Sequence, residues 1–196
     1  MPYLYNCAYN AVENEIPINA PLFLYYNDNE INVDSNSFLL GRDILVTPIL
    51  DEGKEFVNVY LPKGDIWYLN NRCFDGGEEI ELFIPAKSKV PYLIRGGSVI
   101  PSDEGEYGFN SDESLIFTVY PIKSGYFSYN YFMDDGVSYE YKNNNCVKLN
   151  FSVECNSNEV IVSYKNNGNI AITPNIRLSE ADHREIVIKK EDDDEF

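Results

Sequence analysis

The sequence contains few of the residue types from which most active sites and metal centres are built. Among 196 residues there is one histidine, His183, and one tryptophan, Trp67. A Ser-His-Asp relay or a histidine metal site would need His183, which lies between Asp182 and Arg184 in a charged stretch typical of a surface turn. The cysteines form no Cys-x-x-Cys pair, which favours reduced, scattered thiols over a zinc site; they are Cys7, Cys73, Cys146 and Cys155. We therefore expect no metal, no cofactor and no cofactor-binding residues.

Positive charge and long apolar runs are also scarce. The chain has 15 Lys and Arg against 32 Asp and Glu, a formal net charge of −17. Nucleic acids and anionic membrane surfaces would repel such a chain, so we expect neither as a partner. No apolar run approaches the roughly 18 residues of a membrane span, and no signal peptide is visible. The compartment stays open, with the cytoplasm favoured over the endoplasmic reticulum.

Aromatic residues, in contrast, are abundant and point to strands. The chain is 44% hydrophobic and contains 16 Tyr and 11 Phe, enough for a packed core and typical of β-structure. The first segment is the exception, because the apolar period of residues 2–14 predicts an amphipathic helix. Its expected apolar face consists of Leu4, Cys7, Ala8, Ala11 and Val12, and Asn14 is a candidate for the left-handed position after its last turn.

Two sets of short strands follow this helix. The first set is predicted at 38–50, 55–62, 66–70, 78–85 and 90–101, and the second at 115–121, 125–141, 146–155 and 159–165, with one or two more strands after residue 168. Each strand is β-branched or aromatic and is bounded by Gly, Pro or Asp. The acidic segment 102–114 separates the two sets and predicts an exposed linker that proteases should cut first. We predict a mainly β fold of two antiparallel β-sandwiches behind one helix. The predicted divisions are 1–27 (helix and extended linker), 28–103 (proximal sandwich), 104–190 (distal sandwich) and 191–196 (acidic tail).

The second set contains the remaining candidates for chemistry. "YNYFMDDGVSYEY" predicts a hairpin with an Asp-Gly turn between two Tyr-rich arms. Asp134 and Asp135 are conceivable as acid and base, but adjacent strand residues point to opposite faces, and Gly136 after them favours a turn that uses their side chains structurally. The tyrosines are conceivable as a platform for sugars, although strand spacing alone would divide them between core and surface. "RGGS" (95–98) lacks the spacing of a phosphate loop, and Gly96 and Gly97 predict a turn or bulge.

Five segments, taken together and in order, resemble glycoside hydrolase family 31. They are "MPYLYNCAYNAVENEIPINAPLFLYY", "SFLLGRDILVTPIL", "VNVYLPKGDIWYLNN", "GGEEIELFIPAKSKVPYLIRGGSVIP" and "YFMDDGVSYEY". The resemblance implies that the first helix is the last helix of a catalytic (β/α)8 barrel. It further implies that the two strand sets are the proximal and distal C-terminal sandwiches of an α-glucosidase, α-xylosidase or glucosidase II type of enzyme.

The sequence departs from the family pattern at three places. Glu15 stands where the family has Gly at the helix end, and Ala20 stands where it has Arg before "PLF". Family members are retaining α-glycosidases with two catalytic barrel aspartates, the nucleophile in a motif that begins with Trp. Here Trp67 is followed by Tyr68, so no catalytic residue carries over to this chain, and we expect it to be inactive alone.

Three functions remain open at this point. The first is a non-catalytic C-terminal accessory fragment of a family 31 enzyme whose full-length form hydrolyses α-glycosidic bonds. The second is a free carbohydrate-binding β-sandwich module, which would show two or three coplanar exposed aromatic rings. The third is a small enzyme with an unrecognised site. The expected partners are the missing catalytic barrel, or a second copy, through the N-terminal helix, and in the second case a carbohydrate.

Overall fold

The computed structural model describes residues 2–31, 36–84, 90–103 and 115–191. Helix α1 spans Pro2–Glu13, as its period predicts. The left-handed residue after it is Glu15, with φ 56°, so the expectation for Asn14 was wrong by one position. Asn14 instead continues the helical pattern, because its N–H donates to the Asn10 carbonyl at 3.0 Å. Glu15 therefore adopts the conformation that glycine adopts without strain.

Most strands lie in the predicted segments, although the segments 38–50 and 90–101 each contain two strands. The strands are β1 (Asn19–Pro21), β2 (Phe38–Leu40), β3 (Ile44–Val46), β4 (Phe56–Tyr60), β5 (Ile66–Leu69), β6 (Arg72–Asp75), β7 (Glu79–Phe83), β8 (Tyr92–Arg95), β9 (Ser98–Asp103), β10 (Leu115–Tyr120), β11 (Gly125–Met133), β12 (Val147–Cys155), β13 (Glu159–Asn166), β14 (Asn175–Leu178) and β15 (Glu185–Lys190). Among the described residues, 3₁₀ helices also occur at Leu22–Leu24 and Glu140–Asn143.

These strands form two sandwich-like halves. In the first half, a sheet in the order β1-β2-β3-β8-β5-β6 packs against the two-stranded sheet β4-β7. Its core centres on Trp67, which is fully buried. In the second half, the sheet β14-β10-β9 packs against the sheet β11-β12-β13-β15. Phe117 and Phe151 are fully or almost fully buried at its centre, with ring centroids 5.0 Å apart. The mainly β fold behind one helix is thus confirmed.

Pairing is mostly antiparallel, but two pairs are parallel, which the sequence pattern did not predict. They are β10 with β14 and β13 with β15. The strand β9 also lies with the second half, since it pairs with β10 and places Val99 in the second core. The predicted domain divisions remain predictions. Most of the predicted linker and of the acidic tail, residues 104–114 and 192–196, lies outside the described residues.

The predicted Asp-Gly hairpin was wrong. Strands β11 and β12 do pair, but their last pair is Met133 with Val147, so a long loop replaces a two-residue turn. Asp135 explains the difference, because its Oδ1 accepts hydrogen bonds from the N–H groups of Val137 and Ser138 at 3.0 and 2.9 Å. Backbone donors held in this way do not join a strand ladder. No helix in the described ranges has the length and apolarity needed to cross a bilayer.

Candidate functional site

Helix α1 lies against the edge of the second half, and one buried amide makes the central contact. Strand β11 is an edge strand of its sheet. Asn6 occupies that edge: its Nδ2 donates to the Asn130 carbonyl at 3.0 Å, and its Oδ1 accepts the Phe132 N–H at 3.0 Å. These two bonds replace those of a neighbouring strand, and they cover an edge that would otherwise be open to pairing. Asn6 is 2% exposed, so the contact is well shielded from water.

A buried polar cluster ties the same helix to the first half. The Tyr3 hydroxyl donates to the Leu40 carbonyl at 2.8 Å and to Asp43 at 3.2 Å. Asp43 also accepts a hydrogen bond from Ser98 at 2.9 Å and pairs with Arg95 at 3.3 Å. Burial and the negative charge of Asp43 raise the pKa of Tyr3 well above its usual value, so the phenol stays protonated and acts as a donor.

Cys7 adjoins this cluster but shows no sign of nucleophilic activation. Burial raises the pKa of its thiol to about 11, so the thiol is neutral at physiological pH. The described structure holds it, like the other three cysteines, as a free thiol. Cys7 therefore has a packing role.

Aromatic rings complete the helix contact. Tyr9 stacks on Phe132 with centroids 3.9 Å apart and planes 8° from parallel, and Tyr5 lies parallel to the same ring at 6.5 Å. The Tyr5 hydroxyl bonds to Asp134. These parallel rings cover one another rather than presenting faces to solvent. An exposed pair, Phe56 and Phe83, is tilted by 46°. Neither arrangement is the coplanar platform expected of an aromatic sugar-binding module.

The predicted apolar face of α1 divides into two parts. Cys7 is buried against the sandwiches, whereas Leu4, Ala8 and Val12 point outward. Leu4 is 41% exposed and Val12 79% exposed. We call Leu4, Ala8 and Val12 the outward stripe; their i, i+4, i+8 spacing places them on one side of the helix. Phe23 and Leu24, shortly after the helix, are also more than half exposed.

The sequence-derived candidates for chemistry lie apart from this junction or serve structural roles. His183 is exposed in the turn before β15. Asp134 and Asp135 accept hydrogen bonds from backbone N–H groups that follow them, as the structural interpretation predicts. No group of three or more His, Cys, Asp and Glu residues in the described part of the chain could hold a metal ion.

The "RGGS" segment connects the two halves. Arg95 donates to the Arg42 carbonyl at 2.8 Å and pairs with Asp43, while the glycines after it carry the chain from one sheet to the next. Sequence reasoning missed the roles of Asn6, Asp43 and Arg95. Of these three roles, only that of Asn6 could have been found from the sequence. A polar residue one helical turn from both Tyr3 and Tyr9 is unusual on the packed face of a helix.

Comparison with known proteins agrees with this architecture. The family model described as "Glycosyl hydrolase family 31 C-terminal domain" matches residues 15–100. The chain is 27% identical to alpha-glucosidase 2 of Bacillus thermoamyloliquefaciens over 186 residues, which is 93% of the chain and 23% of that protein. It is 30% identical to the alpha-glucosidase of Hordeum vulgare over 176 residues, 83% of the chain and 20% of that protein.

Solved structures give the same result. The family 31 dextranase of Flavobacterium johnsoniae is 29% identical, with a TM-score of 0.70 over 81% of this chain and 20% of that one. The alpha-xylosidase of Xanthomonas citri, at 24% identity, shares the fold with a TM-score of 0.74 over 91% of this chain and 20% of that one. The chain thus spans about a fifth of the relatives it matches. Residues 15–100 are thus a glycosyl hydrolase family 31 C-terminal domain, and the chain as a whole is similar to the same region of these enzymes.

Proposed function

We propose that this chain is the non-catalytic C-terminal accessory region of an α-glucosidase-type enzyme, and that helix α1 provides the surface on which the catalytic barrel packs. The barrel could precede these residues in one polypeptide or be supplied by another. The enzyme as a whole would hydrolyse α-glycosidic bonds in carbohydrate metabolism. The chain would stabilise and orient the barrel without touching the scissile bond.

The observation that carries the proposal is the outward stripe. The opposite side of α1 is occupied, because Tyr3, Asn6 and Cys7 are buried against the chain's own sheets. The stripe remains apolar and exposed, and apolar side chains that share one exposed face often mark an interaction site. The relatives supply a candidate occupant, since about four-fifths of their length lies outside the match.

The proposal assigns no catalytic role to the carboxylates Asp134 and Asp135, and the reason is geometric. A retaining glycosidase holds two carboxyl groups about 5–5.5 Å apart across the sugar, one of them free to act as nucleophile. Asp134 and Asp135 are bound to their own loop instead. The chain alone should therefore not hydrolyse an aryl α-glucoside, and turnover that survives repurification and follows the protein through every column would contradict the proposal.

A chimera tests the packing surface directly. The corresponding 186-residue region of the Bacillus alpha-glucosidase 2 would be replaced by this chain. We expect an active α-glucosidase whose activity and melting temperature fall when Val12→Glu places a charge on the outward stripe, because a buried charge without a partner is costly. The matched control is Val137→Glu, at a residue that is 91% exposed in the second half. Equal effects of the two substitutions would contradict packing through α1.

A further inference from the structure

The outer face of the second half carries two rows of polar side chains, most of them neutral. In strands β11, β12 and β13 the hydroxyl row consists of Ser128, Ser152 and Ser163, which face each other in register. In the neighbouring amide row Asn130 lies opposite Asn150, and Lys165 of β13 lies opposite Asn150 on its other side. Both asparagines and the first two serines are exposed. The chain has a large excess of acidic residues, but neither row contains one.

Hydrogen bonds between side chains hold the amide row in a fixed orientation. Asn150 Nδ2 donates to Asn130 Oδ1 at 2.6 Å, and Asn167 Nδ2 donates to Asn150 Oδ1 at 2.5 Å. A carboxamide has two N–H donors and an oxygen with two lone pairs. The ladder between these amides uses only part of that capacity. The row therefore presents oriented donors and acceptors to a ligand with little further loss of side-chain entropy.

Helix α1 makes this face concave. Its last turn and the residue after it bring Asn10 and Asn14 alongside Asn130, and two hollows of about 510 and 260 Å³ adjoin at these three residues. The larger hollow reaches Ser128 and Tyr129, and the smaller reaches Asn150 and Asn167. We call the two hollows together the amide groove. Its floor is the sheet and its wall is the helix, so it is better shielded than an open sheet face.

The side chains of the amide groove select a chemical class of ligand. Amides and hydroxyls both donate and accept hydrogen bonds, which matches a ligand that carries many hydroxyl groups. Charged groups of both signs line the ends of the groove: Glu13 and Lys148 at one end, and Arg42 with the paired Arg95 and Asp43 at the other. This arrangement attracts neither anions nor cations specifically. Amides in successive strands lie about 4.8 Å apart, close to the length of one pyranose unit.

We propose that the amide groove binds a neutral oligosaccharide of the α-glucan class. The site would hold a glucan chain through its hydroxyl groups, without an aromatic platform, and keep it beside the barrel that α1 carries. The choice of α-glucan rests on the proposed function, whereas the groove and its preference for hydroxyl groups rest on the geometry alone. Glucan binding in the groove and packing of a barrel on α1 can be refuted independently, because the groove is tested on the chain without any barrel.

The test is titration of the chain with maltoheptaose and, separately, isomaltoheptaose, followed by NMR of the ¹⁵N-labelled side-chain amides. We expect saturable shifts of the Asn130, Asn150 and Asn167 amide signals with at least one of the two glucans. Asn150→Ala should weaken binding about fivefold to tenfold, since it removes one or two hydrogen bonds to the ligand and disrupts the ladder. The matched control is Asn58→Ala, at an exposed asparagine of β4 outside the groove.

A second variant guards against loss of folding. Ser128→Ala alters the hydroxyl row inside the larger hollow without disturbing the amide ladder, and it should also weaken binding while the melting temperature stays unchanged. Absence of saturable binding for both glucans at millimolar concentration would overturn the proposal. So would binding that is equal in Asn150→Ala, Ser128→Ala and Asn58→Ala.

Discussion

Gly97 is the point at which the chain passes from the first half to the second, and we expect Gly97→Val to destabilise the protein. The N–H of Gly96 donates to the Ile66 carbonyl in β5 at 2.7 Å. The N–H of Gly97 donates to the Tyr120 carbonyl in β10, also at 2.7 Å. Successive backbone groups thus bond to different sheets, and this reversal requires a φ of 85° at Gly97.

The cost of a side chain at this position has two parts. The left-handed region costs a residue with a Cβ about 1–2 kcal/mol, and a β-branched residue fits it least well. A Cβ on Gly97 would also lie 3.3 Å from Ile122 Cγ2, closer than ordinary contact, and valine would add two methyl groups there. Together these give a loss on the order of 1–3 kcal/mol. At about 2–4 °C per kcal/mol for a chain of this size, a 2 kcal/mol loss lowers the melting temperature by roughly 4–8 °C.

Thermal and urea unfolding, both followed by circular dichroism, measure this loss. Gly53→Val is the matched control, because Gly53 has a similar φ of 78° and no atom lies within 4 Å of its would-be Cβ. The control isolates backbone strain, so the excess loss in Gly97→Val reports the contact with Ile122. An unchanged melting temperature for Gly97→Val would refute the conformational argument, and equal losses in the two variants would refute the packing part.

Three further predictions concern the helix end, the outward stripe and one ion pair. Glu15→Gly should stabilise the chain by about 0.5–1 kcal/mol in urea unfolding, since it relieves a positive φ, whereas Asn14→Gly, within the helical pattern, should not. In isolation the chain should self-associate through residues 2–24. Val12→Glu should remove about 1.5–3 kcal/mol of apolar burial and shift the mass measured by light scattering toward that of the 22.5 kDa monomer. A wild-type chain that stays monomeric at high concentration would contradict this prediction. Burial alone would raise the pKa of Asp182, but the hydrogen bonds and charge of Arg184 outweigh it and hold that pKa below its usual value. The stability that Asp182 adds is therefore present above the unfolded pKa of about 3.9 and lost as pH falls, so the difference in unfolding free energy between wild type and Asp182→Asn should shrink from about pH 5 to pH 2.

Most strands could be predicted because their signals are local. Alternating β-branched and aromatic residues between Gly, Pro and Asp gave β4, β5, β7, β12 and β13 nearly to the residue. The sequence alone did not reveal β6, whose "RCFD" alternates weakly and is mostly exposed. It also did not reveal the parallel pairs, because parallel or antiparallel partnership depends on the path of the whole chain and not on the residues of one strand.

The helix junction was predictable only in part, for a related reason. A period of 3.6 identifies an amphipathic helix, but it does not say which side the chain's own sheets cover. In this chain the sheets cover Tyr3 and Asn6, which donate hydrogen bonds to backbone carbonyls far away in the sequence. The more apolar Leu4 and Val12 stay outside. These hydrogen bonds join residues 37 and 124 positions apart, and no local sequence pattern predicts such contacts. The buried side of α1 could therefore be identified only from the structure.

Asn6 connects the two proposed functions of the helix. It fixes α1 to the open edge of β11, and the same contact sets the height of the groove wall above Asn130. The outward stripe lies on the other side of the same helix, less than one turn away from Asn6 along the chain. Because α1 is a single rigid element, a barrel bound to the stripe would have a fixed position relative to the amide groove. A glucan held in the groove would then keep a constant orientation to that barrel, whatever conformations the loops between the strands adopt.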